Sequence, residues 1–159
     1  MPSPPQSPQQ IYCHLRKMWV TALPEELVRQ RLISYMVNQL NFPQSYLVLE
    51  KELRQMPHLD GDLQQFPDRR ADLICFSKDI HPRHTLYPLL LIECKAVKLT
   101  SKVVDQVVGY NHFLQAYFIA IVNSDEIRTG WYDREKKEYT FINTLPDYTS
   151  LLGMLKTKD

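Results

Sequence analysis

The stretch Leu89-Leu90-Leu91-Ile92-Glu93-Cys94-Lys95-Ala96 sets a run of large apolar residues directly against a carboxylate and an ammonium. A short, continuous apolar run preceded by Pro88 predicts a strand buried on both faces. Residues two apart on a strand share a face, so Glu93 and Lys95 point together while Cys94 points away. Charged groups at the end of a core strand require a partner, a metal or a substrate. The expectation is a divalent metal and a scissile phosphate.

Upstream, Arg69-Arg70-Ala71-Asp72-Leu73-Ile74-Cys75-Phe76 predicts a second strand, and the segment from Lys78 to Tyr87, with His81-Pro82 and His84, a loop between the two. Directly opposed residues in an antiparallel pair have a constant index sum. If the loop centres between Pro82 and Arg83, Asp72 faces Glu93, Ile74 faces Leu91 and Phe76 faces Leu89. Two acids then meet beside Lys95. Facing carboxylates raise each other's pKa unless a cation sits between them. A hard ion such as Mg²⁺ takes one or two carboxylates plus waters and phosphate oxygens. It can activate a bound water and neutralise charge on a phosphoryl transition state, and a neighbouring lysine can orient that water. These are the parts needed for phosphodiester hydrolysis.

The rest of the chain supplies a frame. Residues Met1 to Gln10, nearly all Pro, Ser and Gln, predict a disordered tail, with one domain over 11–159. Ile11 to Val20 mixes apolar and basic residues and reads either as a docking strand or as an arm over the domain. Pro24-Glu25-Glu26 opens a helix, with acids in the first turn where the macrodipole favours them. Its apolar stripe runs from Leu27 to Leu40, its polar side carries Arg29 and Arg31, and Asn41-Phe42-Pro43 ends it. Tyr46 to Leu53 predicts the first strand, and Asp60-Gly61-Asp62 a turn. A helix follows from Thr100 to about Tyr117, then a strand over Phe118–Val122. A hairpin over 129–134 and 138–142 and a short helix over 151–155 close the chain. The order argues for a mixed sheet with helices on both faces.

Composition is that of an ordinary globular protein: 159 residues, 44% apolar and 23% charged, enough for one domain with a real core. A formal net charge of +1 means that nucleic-acid binding must come from a local patch. Arg69, Arg70, Lys95, Lys98 and Lys102 gather around the proposed site and could meet phosphates. The odd, unpatterned cysteines Cys13, Cys75 and Cys94 read as free buried thiols in a reducing cytosol. No apolar run reaches membrane-spanning length, and no signal-peptide layout opens the chain, so a cytoplasmic location is expected.

Asp72 followed by Glu93-Cys94-Lys95 resembles the D…(D/E)xK core of the PD-(D/E)XK nuclease superfamily. Four segments together look like the N-terminal nuclease domain of type I restriction enzyme R subunits. They are Pro24 to Gln30, Arg70 to Ile74, Leu90 to Ala96 and Asp105 to Tyr110. The resemblance covers roughly Leu23 to Arg134 and implies a restriction-endonuclease-like α/β/α core around a central mixed β-sheet. It implies a Mg²⁺-dependent DNA endonuclease, with Mn²⁺ as a substitute. Asp72 and Glu93 would be metal ligands, the carbonyl of Cys94 a third contact and Lys95 the catalytic lysine. Gln106 and Tyr110, one turn apart, match the family's Q…Y motif. Glu26, chosen over Glu25, would complete the metal shell. Full R subunits carry a helicase motor that this chain is too short to hold, so a separate helicase or methyltransferase subunit is a further implied partner. Cleaving both strands requires two sites, which a homodimer would supply.

Other readings remain at this level. Glu93 and Lys95 also read as a structural ion pair at a strand end, and Asp68, in the literal Pro67-Asp68, rivals Asp72. Glu50 and Glu52 read as solvated or sheet-edge charges. Asp79, His81, His84 and Cys75 suggest zinc only weakly, without paired-cysteine spacing. Cys94 with His112 would make a nucleophilic pair only if Cys94 left the core. The chain could also be a catalytically silent nuclease-fold module that binds DNA or a partner protein. A third option, Lys95 as an amine nucleophile, requires a dry pocket with few carboxylates.

Overall fold

In the computed structural model the described residues are 2–3, 8–59, 61 and 63–156. The tail expected over 1–10 and the turn expected at Asp60-Gly61-Asp62 lie largely outside them. The apolar run around Leu89–Ile92 forms β5 (Leu86–Cys94), and its antiparallel neighbour is β4 (Arg70–Lys78). With β3 (Leu47–Glu52), β6 (Phe118–Val122), β7 (Ile127–Asp133) and β8 (Glu138–Ile142) they build a six-stranded sheet in the order β3-β4-β5-β6-β7-β8. Only the β5–β6 pair is parallel, so the sheet is mixed. That one parallel step needs a crossover, and α2 (Ser101–Leu114) supplies it.

Two apolar layers flank the sheet. On one face α1 (Pro24–Asn38) and α3 (Tyr148–Lys156) cover Leu73, Cys75, Leu90, Ile92 and Cys94. On the other α2 covers Ile74, Phe76, Leu91, Ile119 and Ile121 through Val104, Val107, Tyr110 and Leu114. The period-2 alternation of β5 therefore feeds both layers, which is why its sequence is apolar without interruption. This is the expected α/β/α core.

The expected register holds at Ile74–Leu91 and fails at Phe76, which faces Pro88 instead of Leu89. The slip lies between Cys75 and Phe76. Pro88 has no N–H to give the ladder, and a bulge is where a sheet tolerates that. α2 ends at Leu114 rather than near Tyr117, because Gln115 turns left-handed at φ 62°. Asn111 then holds the exit, donating to the Ala116 carbonyl at 3.0 Å and accepting from its N–H at 2.9 Å.

Ile11 to Val20, undecided from sequence, is neither part of the main sheet nor an extended arm. It lies in a separate hairpin of β1 (Gln10–Cys13) and β2 (Met18–Thr21), so Gln10 opens a strand and is not tail. Leu15, in its turn, packs on the α1 layer and Cys13 is buried, which anchors the hairpin to the domain.

His58, buried below β5, donates from Nε2 to the Leu114 carbonyl at 2.6 Å, leaving Nδ1 buried without a partner. Burial first, then the nearby His84 and His81, holds its pKa below 6.5. The folded state thus resists a proton that the unfolded chain accepts, and stability falls as pH drops below 6.5. We expect His58→Gln to lose this slope. Urea midpoints of wild type and variant should diverge least at about pH 5 and most near about pH 7, where the neutral ring packs undisturbed.

Candidate functional site

The ends of β4 and β5 are irregular where the candidate residues lie. The β3–β4 ladder pairs Leu49 with Leu73 and Lys51 with Ala71 but skips Glu50 and Asp72. Glu50 sits at φ 52°, a left-handed conformation that non-glycine residues rarely adopt. Ala71 packs in the α2 layer while Leu73 packs in the α1 layer, so strand alternation breaks across Asp72. The Asp72 side chain turns toward α1 as a result. The Asp72 carboxylate accepts from the Arg29 guanidinium (Nη1) at 2.5 Å and from the Cys94 backbone N–H at 2.8 Å. Glu93 lies one residue outside the last recorded β4–β5 pair, Leu73–Ile92, on the α2 side with Leu91.

The two acids expected face to face are therefore neighbours across the strand ends, aimed at different layers. On the α1 side is a cleft of about 300 Å³, walled by Val20, Thr21 and Leu23 and by the charged groups Arg16, Glu25, Glu26, Arg29, Glu50 and Asp72. Arg29 is its hub. Its Nε reaches Glu26 at 2.7 Å, its Nη1 reaches Asp72, and its Nη2 lies 3.5 Å from Glu50. Arg16, from the β1–β2 turn, binds Glu26 as well and lies 3.6 Å from Glu50. Burial alone would depress Arg29, but Glu26 and Asp72 outweigh it and hold its pKa raised. Burial likewise pushes Glu26 up, and Arg29 and Arg16 pull it below the usual carboxylate value.

Glu93 has the opposite environment. It is 6% exposed and its Oε1 is buried with no hydrogen-bond partner. Burial and then the charge of Asp72 raise its carboxyl to about 7, against the weaker pull of Arg69, Lys95 and the Asp72 backbone. Tyr110 stands over it from α2, its own hydroxyl buried and unpartnered and its pKa pushed to about 12 by burial and by Glu93. Arg69 lies 4.7 Å from the Tyr110 ring centroid, a cation–π contact that parks a guanidinium beside the site. Lys95 is half-buried, with its backbone N–H bonded to the Val122 carbonyl at 2.8 Å.

The structure thus gathers Glu93, Lys95, Arg69 and Tyr110 on one side, and Asp72 with Glu26 on the other. Gln106, Lys98 and Lys102 are exposed, and Arg70 is an edge residue 3.3 Å from Glu52. Glu25 and Asp68 are exposed as well. Cys94 faces the α1 layer, across the sheet from α2 and His112, so the nucleophilic pair does not form. Among the described residues no three His, Cys, Asp or Glu side chains are grouped closely enough to hold a metal, and this covers the histidine loop. Arg29, read from sequence as the polar side of α1, is instead buried, and Glu50 is a cleft charge. Arg16 was not singled out either. The one available sign was that Arg29 lies three residues after Glu26, a spacing that pairs them.

The sequence profile described as type I restriction enzyme R protein N terminus matches residues 24–146. The chain belongs to this family. The match begins at α1, so it includes Glu26 and Arg29 as well as the β4–β5 ends and α2, and it leaves out the β1–β2 hairpin. No curated protein and no solved structure matches the chain. Among the described residues no helix is long and apolar enough to cross a membrane.

Proposed function

We propose that this R-protein N-terminal domain is a divalent-metal-dependent nuclease that hydrolyses DNA phosphodiesters. The observation that carries the proposal is the buried, unpartnered Oε1 of Glu93 next to the Asp72 carboxylate. A buried acceptor left unpaired costs about 1–3 kcal/mol, and a hard cation held by Glu93 would remove that cost and, with Asp72 turned from Arg29 to share it, the repulsion between the acids. The donor set, two carboxylates with the Cys94 carbonyl, suits Mg²⁺, with Mn²⁺ as a substitute. When bound, the ion supplies an activated water and neutralises phosphoryl charge. The chain's own residues do the remaining work. Lys95 holds its ammonium at the Glu93 end of the strand, where it orients the water or meets developing negative charge. Tyr110 and Arg69 wall the α2 side, and Gln106 lies one turn before Tyr110 at the open edge. Glu26 acts through Arg29, which orients Asp72. Arg70, Lys98 and Lys102 offer exposed charge for phosphates, without sequence information. DNA is the substrate in this reading; a second copy for double-strand cutting and a separate helicase or methyltransferase subunit are its partners.

One observation favours a second reading, a silent module that binds DNA or protein. Asp72 already has a guanidinium on one oxygen and a backbone N–H on the other, as a purely structural carboxylate would. Supercoiled plasmid incubated with Mg²⁺ or Mn²⁺ separates the two. Nicking that disappears with chelator and in Lys95→Ala and Asp72→Ala is the expected result. A folded wild type that leaves plasmid intact under both metals, across salt, selects the binding module.

A further inference from the structure

The outer face of the β1–β2 hairpin carries a row of rings that the fold does not use. Tyr12 and Trp19 are directly opposed across the strands, with ring centroids 5.5 Å apart at 67°. His14 stands edge-on to Tyr12 at 5.0 Å. Trp19 is 62% exposed and Tyr12 36%. Of the alternate positions Ile11, Cys13 and Val20 are buried or half-buried and Met18 is exposed; these, with Leu15 of the turn packed on the core and Arg16 paired to Glu26, fix the hairpin. Among the described residues the rings touch one another but no buried core residue, so the domain core gives their exposed faces no role. The turn beside them is basic: it holds His14, Arg16 and Lys17. Arg16 reaches through to Glu26 and Glu50, so the hairpin stands on the rim of the cleft that holds Asp72.

We propose that this face is a stacking platform for single-stranded nucleic acid, which it holds as the strand passes the rim of the Asp72 cleft. Bases stack on exposed rings only when unpaired, and such stacking is sequence-tolerant because every base has a π-face. With a net charge of only +1 the domain depends on local patches for phosphate contacts, and ring stacking adds affinity to what a small patch supplies. The exposed Lys17 and His14 of the turn then meet the backbone of the same strand. The inference rests on the nucleic-acid reading above for its partner, but not on catalysis.

The test therefore excludes cleavage. Anisotropy of a fluorescein-labelled dT oligonucleotide is read with the full chain in chelator, at two salt concentrations and against a labelled duplex of equal length. Wild type should prefer the single strand. Trp19→Ala should bind it about tenfold more weakly, the loss of one base–ring stack, and Trp19→Phe should recover most of the difference. Met18→Ala, which removes an apolar side chain 52% exposed on the other face, should bind as wild type does. Thermal melts confirm that each variant is folded. Equal binding by wild type and Trp19→Ala, or a preference for duplex, overturns the platform. Self-association abolished by Trp19→Ala, with no effect on the oligonucleotide, overturns it too and makes this a protein face. Metal-dependent plasmid nicking is indifferent to these outcomes, so the platform can fail while the nuclease stands, and the reverse.

Discussion

Arg29→Ala is expected to lower the stability of the metal-free domain by about 3–5 kcal/mol, the usual cost of removing one partner from a buried ion pair. For a domain of this size that is a fall in melting temperature of roughly 10 °C. The size follows from what one side chain does: three nitrogens serve three carboxylates, Glu26 at 2.7 Å, Asp72 at 2.5 Å and Glu50 at 3.5 Å. Without it, among the described residues Glu26 keeps Arg16, and Asp72 keeps Cys94 through its backbone N–H and thiol. Arg29→Lys should recover little, because an ammonium is a single point and lacks the planar fork. The pH dependence has a definite sign. Glu26 has a folded pKa below its ordinary 4.5, so its contribution is present above that value and is lost as pH falls through the lower folded value. The gap between wild type and Arg29→Ala should therefore narrow below about pH 4.5 as the acids neutralise. Denaturant titrations in chelator at neutral and acid pH measure it. A variant as stable as wild type at neutral pH would mean that the cleft charges are solvated individually and that Arg29 does not orient Asp72.

The strands were readable because burial on both faces leaves a plain mark. Leu89 to Ile92 and Phe118 to Val122 are apolar at every position, and both are central strands. Helix α1 was readable from Pro24 and the two acids of its first turn. An unbroken register predicts Asp72 and Glu93 face to face, whereas the structure aims them at different layers. An index sum assumes an unbroken pleat, and the left-handed Glu50 breaks the ladder beside Asp72, turning its carboxylate to the α1 face. Nothing in the local sequence around Glu50 announces that. The arginine hub was hidden for a related reason. Arg29 looks like an ordinary surface residue of an amphipathic helix until Asp72 and Arg16, distant in sequence, are brought over it. The hairpin escaped decision because its inward face is short and its outward face is aromatic, which inverts the polarity that sequence periodicity relies on.

Glu93→Gln is expected to stabilise the metal-free domain at alkaline pH and to abolish its stabilisation by Mg²⁺. The folded-state pKa of Glu93, about 7, stands above its ordinary 4.5. The folded protein therefore holds a proton that the unfolded chain releases, and stability falls as pH rises through that interval. Above about pH 7 the penalty is complete and on the order of 3 kcal/mol. Glutamine keeps the shape and removes the charge, so in chelator the variant should melt above wild type at pH above about 7 and level with it near about pH 4.5. A divalent ion held by Glu93 would act on the same penalty from the other side, because it favours the ionised carboxylate. Wild type should consequently gain more from Mg²⁺ at alkaline than at acid pH, and Glu93→Gln should gain little at either. Melting curves with chelator and with a Mg²⁺ series, at two pH values, supply every term. A metal effect equal in wild type and variant would place the ion away from Glu93, and the unpartnered Oε1 would then be a fixed cost of the fold rather than a ligand.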